Sequence, residues 1–262
     1  DNSYEPVQVR KGAQNASGDY LENIVAIAAG GLSDDKGFVL AVDSNGSVYG
    51  FGSNDSKQIT TANVNNYTEP ALTPVANAVD VRAGRGATSY ILTSSGSLYA
   101  LGKNNMYEYG TGSTSGSVLT MVPLANRVMA IGAGNQNGMA VTYSLNASNT
   151  PQTETYAWGN NDNFAISPLN SAYISKPTLM TGRMNTALLG GGDSVYTVDK
   201  DGNVKMSGLG NHGQLANGST SNSTSSEPYA DFTKSDDTTA DDAIGAATSI
   251  GGTHSLYIDS KG

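Results

Sequence analysis

A small-residue turn recurs along this chain at intervals of 50 to 60 residues, and no other feature of the sequence restricts the fold so much. It reads Ala28-Ala29-Gly30-Gly31, Arg82-Ala83-Gly84, Gly132-Ala133-Gly134, Leu189-Gly190-Gly191-Gly192 and Ser249-Ile250-Gly251-Gly252. Each turn is followed by a short alternating run: Phe38 to Val42, Ser89 to Thr93, Met139 to Tyr143, Val195 to Val198 and Ser255 to Ile258. A tight turn comes next. Ser44-Asn45-Gly46-Ser47, Ser94-Ser95-Gly96-Ser97 and Lys200-Asp201-Gly202-Asn203 have the chemistry that supplies positive φ in hairpins. The third repeat is expected to carry a longer polar tip from Leu145 to Glu154. A second strand then follows, as Val48 to Gly52, Leu98 to Gly102, Thr155 to Gly159 and the worn copy Val204 to Gly208. Each repeat closes with a polar loop and a Pro-marked extended segment, at Glu69-Pro70, Val122-Pro123, Lys176-Pro177 and Glu227-Pro228.

Repeats of about fifty residues with about four strands each predict an all-β chain built as a β-propeller. Such small sheets are stable only when stacked on their neighbours around an axis. The recurrent glycines would let the inner strands crowd there, where a Cβ clashes. The expected repeats are 24–78, 79–127, 128–185, 186–243 and a partial one at 244–262, within a single domain: about five blades, four of them complete. Composition agrees. Apolar residues are 37% and charged residues 14%, with 32 Gly and 14 Tyr, which disfavours both helical bundles and wholesale disorder.

Three motifs carry a resemblance to a known family. Thr253-His254-Ser255-Leu256 matches a His-Ser-Leu element, Tyr156-Ala157-Trp158-Gly159-Asn160-Asn161 a Trp-Gly element, and Asn211-His212-Gly213-Gln214-Leu215 a Gly-Gln-Leu element. As a set they resemble the repeats of the regulator of chromosome condensation (RCC1) family, in the form found in bacterial secreted or surface proteins. Lys57-Gln58-Ile59 and Tyr107-Glu108-Tyr109-Gly110 read as degraded copies of the last element. Propellers of this family usually have seven blades. The resemblance therefore implies that the five repeats are a segment of a larger propeller, or else that the N-terminal strand completes the last blade; the segment reading is preferred. The start at Asp1, with no Met and no signal-like segment, suggests a processed or excised piece, with a larger multidomain chain as its source.

The residues offer little chemistry. Cysteine is absent, which excludes thiol catalysis and Cys-based zinc sites. The two histidines, His212 and His254, are too few for a histidine metal centre; His254 falls in a repeat position and is read as structural, and His212 as an exposed loop residue. No catalytic or nucleotide-binding motif is present, and neither metal nor cofactor is expected. Asp199-Lys200-Asp201-Gly202-Asn203 has the look of a calcium loop, but the twelfth position is Gly210, so a hairpin turn is expected. The acidic stretch 231–242 is read as a solvated insertion, with weak cation contact as the alternative. Tyr107 and Tyr109, in the polar loop 103–117, are the better contact candidates, because Tyr gives large contact area at low entropic cost. The alternative is that both tuck against the neighbouring blade. His212 joins them as a candidate binding residue.

With 14 basic against 23 acidic residues the net charge is −9, which disfavours nucleic acid as a partner. No apolar stretch is long enough to span a bilayer. The expected function is a non-enzymatic interaction or display module of a secreted or cell-surface protein, binding a protein or glycan through propeller-face loops. Two alternatives are guanine nucleotide exchange or other regulatory binding to a small GTPase, and inhibition of a secreted enzyme.

Overall fold

The computed structural model of the protein describes residues 5–14, 17–31, 36–183, 185–225, 230–231, 242–248 and 254–261. These form antiparallel sheets in which strand order follows chain order. The first holds β1 (Ile24–Gly30), β2 (Phe38–Asp43), β3 (Val48–Ser53) and β4 (Asn66–Leu72). The second holds β5 (Ala78–Ala83), β6 (Thr88–Thr93), β7 (Leu98–Gly102) and β8 (Thr120–Met121). The third holds β9 (Val128–Ala133), β10 (Asn137–Leu145), β11 (Pro151–Asn160) and β12 (Tyr173–Leu179). The fourth holds β13 (Thr186–Gly191), β14 (Ser194–Asp199), β15 (Val204–Gly208) and β16 (Ala230–Asp231). A fifth pairs β17 (Ala243–Thr248) with β18 (Ser255–Asp259). Among the described residues the helical element is a single 3-10 turn, Asp162–Phe164.

The sheets are arranged radially. The first strands β1, β5, β9, β13 and β17 lie side by side in that order. Together they line one central cavity of about 310 Å³, through Ile27, Ala83, Ala133, Gly190 and Ala247 among others. The small-residue turns permit this crowding. A Cβ on Gly30 would stand 2.7 Å from the Gly84 oxygen, and one on Gly134 would stand 2.8 Å from the Gly192 oxygen. The fifth such turn, at 249–252, lies outside the described residues, as do the Pro-marked segment at 227–228 and most of the acidic stretch 231–242.

Burial is concentrated between consecutive sheets. Leu40, Val42, Val48 and Ile59 meet Val81 and Ile91 at the first seam. Tyr90, Leu98 and Tyr109 meet Val128, Ile131 and Trp158 at the second. Met139, Val141 and Ile166 meet Leu189 and Val195 at the third, and Val198, Met206 and Leu215 meet Ala243 at the fourth. Each fully buried aliphatic side chain contributes roughly 1.5–3 kcal/mol.

The hairpin turns follow one scheme. Asp43 Oδ1 accepts the amides of Asn45 and Ser47, and Asp199 Oδ1 accepts those of Asp201 and Asn203. Gly46, Gly96 and Gly202 take the positive φ that these turns need, at 80°, 84° and 85°. Asp199 to Asn203 is thus a hairpin turn, its Oδ1 taken by backbone amides and its Oδ2 by the Asn203 side-chain amide. The third repeat departs from expectation. Half of the expected tip, Leu145 and residues 151–154, is strand, because β10 and β11 stay paired out to Leu145 and Pro151, and residues 146–150 alone form the turn. There Asn146 Oδ1 accepts the amides of Ser148 and Thr150, as the aspartates do elsewhere.

Candidate interaction surfaces

One end of the propeller carries the long loops between third and fourth strands. A buried asparagine organises several of them. Asn54 Oδ1 accepts the amides of Ile59 and Thr60, Asn104 Oδ1 that of Tyr109, and Asn161 Oδ1 those of Ile166 and Ser167. Their side-chain amides donate across the loop, Asn104 to the oxygens of Ser113 and Ser115 and Asn161 to those of Ser167, Leu169 and Ser171. Three residues further on, the backbone is left-handed: Lys57, Tyr107 and Phe164 have φ of 65°, 64° and 56°, and so does Gly213, at 77°, in the fourth repeat, where Gly210 stands in place of the asparagine. Only Gly213 fits that conformation without strain.

The next residue in each loop, Gln58, Glu108, Ala165 or Gln214, offers its backbone oxygen to the following sheet. Ser89 Oγ donates to Gln58 O (2.6 Å), Trp158 Nε1 to Glu108 O (2.7 Å), Ser207 Oγ to Ala165 O (2.6 Å) and Ser255 Oγ to Gln214 O (2.8 Å). Two of these donors sit on second strands, Ser89 and Ser255. At the other two seams that position is Gly138 or Val195, and the third strand supplies the donor instead. A Cβ on Gly138 would meet Trp158 at 2.7 Å, so the missing side chain is what makes room for the indole.

These rules place the sequence-derived candidates. Tyr109 follows Glu108 and aligns with Ile59, Ile166 and Leu215, and like them it is buried. Its hydroxyl donates to Gly102 O at 2.8 Å, and burial raises its pKa well above the usual tyrosine value. It offers no surface to a partner. Tyr107 is half-buried, its ring 6.0 Å from that of Tyr173 on β12, so it bridges the second and third sheets at their outer edge. His212 is exposed, its ring Nδ1 2.8 Å from Asn211 Oδ1, and its amide donates to Gln214 Oε1. His254 is also exposed, just before β18. The structure does not gather Tyr107, Tyr109 and His212 into one site. Glu108, which the sequence reading passed over, is fully buried, and burial pushes its carboxyl up to about 7. Its alignment with Gln58 and Gln214 was visible in the repeats.

The opposite end carries the hairpin turns, and here the overlong β10–β11 hairpin has a consequence. It stands beside the fourth sheet and encloses an open groove of about 420 Å³. The walls are mainly apolar: Met129, Val141, Tyr143, Pro151 and Ala187, with Lys200 at the rim. Met129 and Tyr143 are 54% and 42% exposed, so the groove is accessible as it stands. Lys200 is held by Asp201 at 2.7 Å. No sequence motif marks the groove; its signal was the apolar-polar alternation continuing past Tyr143.

Among the described residues no group of three or more His, Asp or Glu side chains is placed to hold a metal ion, and no helix is long and apolar enough to cross a membrane.

No family model matches this sequence. Solved structures do match in fold. Human WBSCR16 aligns with a TM-score of 0.70 at 20% identity, over 91% of this chain and 61% of its own. Prp20p from Saccharomyces cerevisiae, described with its binding properties to Gsp1p and histones, aligns with a TM-score of 0.67 at 16% identity, over 86% of this chain and 52% of its own. A complex of Kap60 with yeast RCC1 (Prp20) aligns at 0.43 and 15% identity, over 90% of this chain and 64% of the other. The chain thus spans between half and two thirds of the length of these proteins. Radial sheets, a glycine-lined centre and the likenesses to WBSCR16 and Prp20p together give the chain the fold of the RCC1-like β-propellers.

Proposed function

We propose that this chain is a non-catalytic, protein-binding propeller that takes apolar side chains of a protein partner into the groove beside the β10–β11 hairpin. The observation that carries this reading is the groove itself, an accessible apolar recess created where one repeat departs from the pattern of the others. The net charge of −9 suits a partner with a basic surface. The description of Prp20p as binding Gsp1p and histones supports protein binding as a use of this fold. A photo-crosslinking residue at Tyr143 is expected to capture a partner that the same residue at Asn217, on the loop end, does not. Met129→Asp should then weaken the purified partner at least tenfold. Capture from Asn217 alone, or unchanged affinity in the variant, would overturn the reading. The Tyr107–Tyr173 pair on the loop end is the second candidate contact, and the same photo-crosslinking residue placed at Tyr173, 42% exposed, tests it.

Regulatory exchange on a small GTPase is the second reading, supported by the likeness to Prp20p and its described partner Gsp1p. Accelerated release of labelled guanine nucleotide from a panel of GTPases would establish it. A secreted or surface setting rests on composition alone, and fractionation of the host is its test.

We also propose that the five sheets belong to a larger ring. Ile27 on β1 is 71% exposed, and Leu256 and Ile258 on β18 are 67% and 54% exposed, whereas their counterparts Val81, Leu40 and Val42 are buried at an internal seam. The amide of Ala13 donates to Pro70 O on β4, much as Gly112 of the second repeat donates to Ser175 O on β12. Residues 11–14 thus sit on the first sheet as the tail of a preceding repeat would. The isolated 262-residue chain should bind an apolar dye that Leu256→Lys with Ile258→Lys releases; no dye binding would sink the proposal.

A further inference from the structure

Glu108 stands where two other repeats carry a glutamine. Gln58 Oε1 accepts the Ser56 amide at 3.0 Å and its Nε2 donates to Ser53 Oγ at 3.4 Å. Gln214 Oε1 accepts the His212 amide at 2.8 Å and its Nε2 donates to Asn211 Oδ1 at 3.4 Å. Glu108 keeps half of this pattern: Oε2 accepts the Met106 amide at 2.7 Å. The other oxygen, Oε1, is buried and has no hydrogen-bond donor among the described residues. A neutral carboxylic acid is close in shape to an amide and carries one donor and one acceptor, whereas a carboxylate has acceptors only. At this position the neutral form mimics the glutamine of the other repeats, and the ionised form leaves a buried charge unpaired.

The position is also a joint. The backbone oxygen of Glu108 takes the Tyr90 hydroxyl (2.7 Å) and the Trp158 indole (2.7 Å), so the second and third sheets meet on this one residue. The charged and titratable groups around it are Lys103 and Tyr109 on its own loop and Tyr90 on β6. From the third sheet come Trp158 on β11 and Gly138 on β10, neither ionisable.

We propose that Glu108 is a proton-operated latch, clamping the second sheet to the third while its carboxyl is neutral and loosening that seam when it ionises. Burial is the main cause of its raised pKa; its backbone hydrogen bonds, and the Lys103 charge after them, oppose burial without cancelling it, and the carboxyl rests at about 7 against an ordinary 4.5. The sign follows from linkage. A carboxyl that binds its proton more tightly when folded adds stability that is full below about 4.5 and is lost as pH rises through about 7. The seam therefore loosens on the alkaline side of neutrality, the reverse of acid denaturation.

Trp158 is the only tryptophan in the chain and sits on the latch, so its fluorescence reads this seam. In the folded protein the Trp158 emission should titrate with a midpoint near 7, and Glu108→Gln should abolish the titration. The same variant should unfold at higher denaturant than wild type at pH 8.5, with the gap closing toward pH 5.5. Replacing both His212 and His254 by Asn, which removes the other side chains that ordinarily titrate in this range, should leave the Trp158 midpoint in place. A flat Trp158 signal in wild type, an unchanged titration in Glu108→Gln, or a titration lost with the histidines would each overturn the proposal.

Discussion

The indole N–H of Trp158 on β11 donates to the backbone oxygen of Glu108, 2.7 Å away on the loop after β7, and so ties the third sheet to the second. The ring lies edge-on to Tyr90 at 6.1 Å, over the space that Gly138 leaves. Trp158→Phe keeps an aromatic ring there but removes the donor. Because the Tyr90 hydroxyl still satisfies the same oxygen, the loss should be only about 1 kcal/mol. Trp158→Ala empties the site and should cost roughly 3–5 kcal/mol. Urea unfolding followed by circular dichroism separates the two, and equal losses would mean that the hydrogen bond rather than ring packing dominates.

The serine latches should differ in strength for a reason visible in their second partners. Ser89 Oγ donates to Gln58 O, and Ser89→Ala should cost about 1 kcal/mol. Ser207 Oγ donates to Ala165 O and also accepts the buried Arg183 Nη2 at 2.7 Å. Ser207→Ala strips a hydrogen bond from a buried guanidinium as well, and about 2–4 kcal/mol is expected, since bonds to charged groups are the stronger ones. Paired chemical denaturation curves decide the order; Ser89→Ala proving the costlier would refute it.

Much of this architecture could be read from the chain, because the glycines and hairpin turns are set by backbone geometry that few residues satisfy. Gly30, Gly84 and Gly134 are needed at the axis, and Gly46, Gly96 and Gly202 in the turns, so their spacing announces the strands between. The seams were harder to read. Their hydrogen bond needs a donor near one oxygen, and Ser89 on a second strand or Ser207 on a third supplies it equally well, so no fixed motif survives. Of the two readings that the sequence leaves open for Tyr109, its burial agrees with the one that tucks it against the neighbouring blade, and its alignment with Leu215 points the same way. The groove depends on how far β10 and β11 stay paired, and polar residues such as Thr153 and Glu154 concealed that extension.

Left-handed backbone offers a test free of packing changes. Gly213 has φ of 77° and open space where a Cβ would be, so Gly213→Ala should cost about 1 kcal/mol through backbone strain alone. The opposite change at the aligned position, Lys57→Gly, relieves strain at φ 65° but gives up the Lys57 Nζ bond to Ala62 O. A net gain of roughly 0.5–1 kcal/mol is expected, because an exposed side-chain hydrogen bond contributes little. Thermal melts read both, and a stabilising Gly213→Ala would show that the left-handed assignment is wrong.

The outer rim carries one exchange of apolar for ionic pairing. Tyr49 faces Leu72, Tyr99 faces Met121 and Tyr156 faces Leu179, whereas in the fourth sheet Lys205 faces Asp231. The Lys205–Asp231 charges lie 3.8 Å apart with side chains 38% and 62% exposed, so the pair contributes at most a fraction of a kcal/mol, ~0.2–1, and salt should weaken it further. Installing the apolar pair, with Lys205→Tyr and Asp231→Leu together, should add about 0.5–1 kcal/mol. Each single change should fall short of half that gain, because a tyrosine beside Asp231 or a leucine beside Lys205 lacks its cross-strand partner. The double variant should also lose the part of the salt response due to the pair, so the gap between it and wild type widens from 0.05 to 1 M sodium chloride at a Debye length shrinking from roughly 14 to 3 Å. Additive single changes, or a gap that narrows with salt, would mean that these facing positions do not interact.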